Sequence, residues 1–128
     1  MNNKTTLQMA SLVSLFLLVC HMTSDVIDQP VGHVKYPIPV IVFVVLLYAT
    51  LMLAESVLGL IIMMLGGLIG AGMIVLHSPG LVVRNSEGYL FVWTLFTLAT
   101  TGWFTAILAA RALWIRFRSR RPGDSANR

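Results

Sequence analysis

The sequence predicts an all-α integral membrane protein: a bundle of four transmembrane helices with the N- and C-termini cytoplasmic. Three observations lead there. Of the 128 residues, 57% are hydrophobic and only 11% are charged. A soluble domain carries about 25% charged residues, and so apolar a chain in water would expose patches that drive aggregation. The hydrophobic residues also fall in runs long enough to cross a hydrocarbon core, which takes about 20 residues in a helix. Finally, Arg111, Arg116, Arg118, Arg120, Arg121 and Arg128 all lie in the last 18 residues, at and behind the end of the last apolar run. Behind a span, such a cluster acts as an orientation signal rather than a nucleic-acid footprint.

The first span is expected at about residues 7–22, interrupted only by Gln8, Ser11, Ser14 and His21. The segment "TSDVIDQPVGHVKYP" follows, with two acids and two prolines, and is expected to be a loop. Lys4 ahead of a short apolar stretch also has the outline of an export signal. "LLVC", ending at Cys20, has the outline of a lipoprotein signal, with valine where the small residue belongs.

The next apolar run, 38–76, would reach roughly 58 Å as one helix, about twice a bilayer core. It must therefore fold back. The polar break near its middle is Ala54-Glu55-Ser56, with Gly59 just after, so spans are expected at 38–54 and 57–77. Glu55 then belongs to a tight turn at the membrane surface, where Ser56 or Glu55 can cap the following helix. The competing reading is a carboxylate at bilayer depth that couples to a proton or cation, since such groups are usually functional.

Residues 78–88, with Pro79, Gly80 and Gly88, are expected to form a second loop. The fourth span is expected at 89–115, and 116–128 as a basic, disordered cytoplasmic tail. Excess Arg and Lys beside a span resist translocation. The tail therefore faces the cytoplasm, as do the N-terminus and the Glu55 turn, in what is expected to be a bacterial inner membrane.

In lipid, helices associate through close backbone approach and polar contacts. Gly59, Gly66, Gly70 and His77 fall near one line on the third helix, and Gly66 and Gly70 form a GxxxG pair, with Gly67 and Ala71 repeating the spacing one residue over. On the fourth helix Thr94, Thr97, Thr101 and Thr105 share a face, opposite Phe96, Trp103 and Trp114. The threonines are expected either to pack against a neighbour or to line a polar conduit.

His21 and His77 are expected near the outer side with Cys20 and Met73, ligand types that suit copper or, for paired imidazoles, haem. No CxxC, HxxxH or Met-x-Met spacing accompanies them, so no cofactor is predicted and haem or copper is the alternative. There is no nucleophile elbow, P-loop or HExxH motif, and the chain is not expected to be an enzyme on its own.

The four-helix outline at this length is similar to the small multidrug-resistance transporters. Their mid-membrane glutamate in the first helix has no counterpart in "LQMASLVSLFLLVC". "GGLIGA" at 66–71 resembles a glycine-rich motif of the Fluc fluoride channels, but stands in the third helix without the arginine that should follow. Neither function carries over. The expected role is a structural or accessory one, packing against lipid, other membrane subunits or a second copy. The alternative is a homo-oligomeric transporter or channel using Glu55 or the threonine face.

Overall fold

The computed structural model describes residues 3–28, 37–83 and 89–119. They form four helices: α1 (Asn3–Asp28), α2 (Pro37–Met52), α3 (Val57–Val83) and α4 (Tyr89–Ser119). Three of them, α1, α3 and α4, contain stretches long and apolar enough to cross a membrane. Helix α2 is equally apolar but has 16 residues, about 24 Å, short of the roughly 30 Å core. It opens on Pro37 and Pro39, tolerated in a first turn because its N–H groups have no intrahelical partner.

Helix α1 begins at Asn3, earlier than expected, α2 covers Pro37–Met52 instead of 38–54, and the other three helices run past their expected C-terminal ends. Helix α1 runs on through Asp28, so 23–28 is helical rather than loop; nothing in Thr-Ser-Asp-Val-Ile-Asp forbids the helix, and the first proline comes only at position 30. Helix α3 continues through Ser78, Pro79 and Gly80 to Val83, and proline is tolerated inside apolar helices of this kind. Helix α4 extends to Ser119, so the basic tail begins as a helix; arginine is a good helix former, and Arg116 and Arg118 suit the negative end of the dipole. The rest of the expected loops, and residues 120–128, lie outside the described residues.

The connection between α2 and α3 is Leu53-Ala54-Glu55-Ser56. The Ser56 N–H donates to the Leu53 carbonyl at 2.8 Å, and the Ser56 carbonyl accepts the first α3 bond from the Leu60 N–H at 3.1 Å. The Ser56 hydroxyl accepts from the Gly59 N–H at 2.8 Å and donates to the Leu53 carbonyl at 2.9 Å. Ser56 is thus an N-cap in both backbone and side chain. Gly59 belongs to the same device: a Cβ there would collide with the Leu53 carbonyl.

Helix α4 packs most extensively, against α3 and then α1, while α2 touches α3 and α1 over less of its length. The α3–α4 contact is a backbone crossing. A Cβ on Gly67 would lie 2.6 Å from the Gly102 carbonyl oxygen, and one on Gly102 would lie 2.6 Å from the Gly67 carbonyl oxygen and 2.7 Å from the Ala71 nitrogen. Gly67-xxx-Ala71 and Gly102-xxx-Ala106 are therefore facing small-residue pairs. The line of Gly59, Gly66 and Gly70 does not meet one neighbour: Gly59 faces the turn, Gly66 faces Leu46 of α2, and Gly70 faces Leu98 and Gly102 of α4 at ordinary contact distances of 3.5 Å and more. The three positions stand at successive heights on one stripe, and a different element lies against α3 at each height, so one stripe meets different neighbours.

The distribution of polarity is inverted relative to a water-soluble helix. Helix α1 buries Ser11, Ser14 and His21 and exposes Met9 and Phe16. On α4, Phe96, Trp103 and Trp114 are exposed while Thr105 is buried. Polar groups inside and large apolar groups outside are what a hydrocarbon solvent favours.

Candidate functional site at the basic end of the helices

The start of α1, the α2–α3 turn and the end of α4 meet at one end of the molecule. They enclose a cavity of about 260 Å³. Its floor is apolar: Leu7 and Ala54 from α1 and the turn, Leu60 from α3, Leu108 and Ala112 from α4. Leu7, Ala54 and Leu60 belong to the buried core cluster beneath it, with Met63, Ala109 and Leu113. Its rim carries Lys4, Glu55, Arg111 and Arg116. At about 100° per residue, Leu108, Ala112 and Ile115 form one stripe of α4. Arg111 and Arg116 stand on the two sides of that stripe.

Glu55 is exposed in the turn and forms an ion pair with Lys4. The Lys4 ammonium, by hydrogen bond and by charge, holds the Glu55 carboxyl below the ordinary glutamate range, with a smaller contribution in the same direction from Arg116. Among the described residues no carboxylate pairs with Arg111 or Arg116. The rim thus has three cations against one acid.

A second, smaller cavity of about 20 Å³ lies between the helices, beside Ser11, Ser14 and Thr105. Around it the polar groups are mutually satisfied. Thr50 donates to the Leu46 carbonyl at 2.8 Å; having one proton, it must accept from Ser11, at 2.7 Å. Thr105 likewise donates to the Thr101 carbonyl at 2.8 Å and accepts from Ser14 at 3.3 Å. The Gln8 amide donates to the Thr50 carbonyl at 3.1 Å. These bonds tie α1 to α2 on one side and to α4 on the other.

The threonine face divides along its length. Thr97 is exposed, Thr101 half-buried and Thr105 buried. Thr97, Thr101 and Thr105 each donate to the carbonyl four residues earlier, at 2.7–2.9 Å. Thr100, on the outer surface, does the same toward Phe96.

Of the expected metal ligands, His21 is fully buried and Cys20 half-buried. Met73 is half-buried on α3. The His77 side chain lies outside the described residues. Among the described residues no three of His, Cys, Asp and Glu come close enough together to hold a metal ion.

Sequence reasoning did not single out Gly102, nor the pairing of Lys4 with Glu55. The first had a signal, the Gly-Trp-Phe-Thr-Ala spacing on α4. The second had none, because the partners are 51 residues apart.

Among the described residues the fold is all-helical, with three helices long and apolar enough to span a membrane, as a small membrane protein has. No protein-family model matches the chain, and neither does any curated protein or solved structure.

Proposed function

We propose that this chain is a structural or accessory subunit: a bundle of four transmembrane helices, termini cytoplasmic, that packs against other subunits of a bacterial inner-membrane complex. The observation that carries this reading is the pairing of four interior hydroxyls. Ser11, Ser14, Thr50 and Thr105 bond to one another or to backbone, leaving apolar surface as what the chain offers its surroundings. Helix α2 supports it further. It is the least covered of the four, and it exposes Ile41, Val44, Val45, Tyr48 and Leu51, a continuous face on which another helix can lie. The orientation rests on Lys4, Arg111, Arg116 and Arg118 standing at one end, as the positive-inside rule asks of a cytoplasmic face.

Native mass spectrometry of the protein, gently extracted from its own membranes, tests the proposal. Foreign subunits in fixed ratio are the expected result; bare chains alone would overturn it. The second reading, a homo-oligomeric transporter or channel, draws on one observation, the cavity bordered by Glu55. It requires flux through the protein in liposomes that is lost in Glu55→Gln while assembly is unchanged.

A further inference from the structure

From the cavity at the basic end we infer a binding site for an anionic phospholipid, its phosphate held by Arg111 and Arg116 and the first part of its acyl chains laid on the apolar floor. The inference is independent of the subunit role: it requires only the cavity, its cations and a surrounding bilayer.

Four features of the site select this occupant. The first is charge. Arg111 and Arg116 flank the α4 stripe about 140° apart, with Lys4 across the cavity. Guanidinium groups are the preferred partners of phosphate because their N–H groups match its oxygens in pairs. The second is depth. Leu7 and Leu60 close the bottom of the cavity and the more accessible Leu108, Ala112 and Ile115 line its wall, so a molecule that fills it has an apolar portion, which inorganic phosphate lacks. The third is size. A cavity of about 260 Å³ falls just below the range, from about 300 Å³, of pockets that enclose a whole small molecule. It suits a ligand inserting only a headgroup and the adjoining chain while the rest stays in the bilayer. The fourth is position. The site opens where helix ends meet the membrane surface on the arginine-rich side, and basic pockets between membrane helices on that side are where anionic headgroups bind.

Glu55 works against an anion, and this makes the site tunable. While paired with Lys4 it neutralises one of the three cations. A phosphate entering the rim competes with Glu55 for Lys4. Removing the carboxylate therefore strengthens phospholipid binding, whereas removing an arginine weakens it. A group retained only to pair two elements of the fold would not produce opposite effects from these two changes.

The experiment is a titration of the purified full-length protein, delipidated in a neutral detergent, with short-chain phosphatidylglycerol, phosphatidylcholine or inorganic phosphate, read by native mass spectrometry. Phosphatidylglycerol is expected to bind at least on the order of ten-fold more tightly than phosphatidylcholine, and inorganic phosphate not detectably. Arg111→Gln and Arg116→Gln should each weaken phosphatidylglycerol binding roughly five-fold and the double variant bring it to the phosphatidylcholine level. Glu55→Gln should tighten it. Because Glu55 is exposed, that variant keeps the test decisive if an arginine variant misfolds. Equal binding of the two lipids, undiminished binding by the folded double variant, or weaker binding by Glu55→Gln would each overturn the inference. Inorganic phosphate competing at concentrations comparable to the lipid would overturn it too, by making the site one for free phosphate.

Discussion

Gly102→Ala is the sharpest test of the α3–α4 crossing. The added Cβ would stand 2.6 Å from the Gly67 carbonyl oxygen, 2.7 Å from the Ala71 nitrogen and 3.1 Å from the Gly70 carbonyl carbon. Carbon atoms in good contact sit about 3.5–4.0 Å apart. All three obstacles are backbone, so no rotamer change relieves them and the helices must part by roughly 1 Å. Overpacking of this kind costs about 1–3 kcal/mol. Replacing glycine by alanine in a helix returns about 0.8–1.0 kcal/mol. The net expectation is a destabilisation of up to about 2 kcal/mol relative to the parent. Gly72→Ala is the internal control: nothing lies within 4 Å of its added Cβ, so only the propensity gain remains and the variant should be equal to or more stable than the parent. The assay is equilibrium unfolding in mixed neutral-detergent and SDS micelles, followed by tryptophan fluorescence and far-UV circular dichroism. Combining Gly102→Ala with Gly67→Ala should cost less than the sum of the two, because the first already parts the helices. A Gly102→Ala variant as stable as Gly72→Ala would refute the reasoning that backbone contact holds α3 to α4.

Two further predictions concern polar contacts. A double-mutant cycle with Ser11→Ala and Thr50→Val should return a coupling of about 0.6 kcal/mol, the average for hydrogen bonds between membrane helices, and not above about 1.7 kcal/mol; zero coupling in the same unfolding assay would mean that the 2.7 Å hydroxyl pair does not hold α1 to α2. The Glu55 carboxyl, held below its ordinary range chiefly by Lys4, should show an NMR titration midpoint that rises in Lys4→Met. Its folded pKa is the depressed one, so any stability from the pair is present above the unfolded pKa and fades as pH falls through the folded value. Both side chains are largely exposed, so the midpoint, rather than stability, is the informative readout, and an unchanged midpoint in Lys4→Met would remove the ion pair.

Several elements were legible in the sequence because their causes are local. The turn at 53–56 follows from a run too long for one span, broken at its only polar triplet, and Ser56 caps α3 by contacts no more than four residues away. The extensions of α1 through Asp28, of α3 through Val83 and of α4 to Ser119 were not legible. Loop-forming composition predicted ends there, whereas nothing in those residues prevents a helix from continuing. The glycine line of α3 was visible, but its meaning was not: Gly66 meets a leucine of α2, while the backbone contact belongs to Gly67, one residue away and about 100° around the helix. The threonines of α4 looked alike in sequence, yet only Thr105 is buried and bridges to α1 through Ser14.

The sequence by itself determined the solvent, the helical class and the place where the central apolar run folds back, because composition, run length and capping act over a few residues. Only the tertiary structure decided which faces meet: that Gly67 lies against Gly102, that Ser11 and Ser14 point inward, and that Lys4, Glu55, Arg111 and Arg116 surround one cavity. The physical reason is that lipid is as apolar as the helices it surrounds. No amphipathic stripe marks the inner face of such a helix, so its rotation is set by backbone fit and by a few polar bonds between residues far apart in the chain.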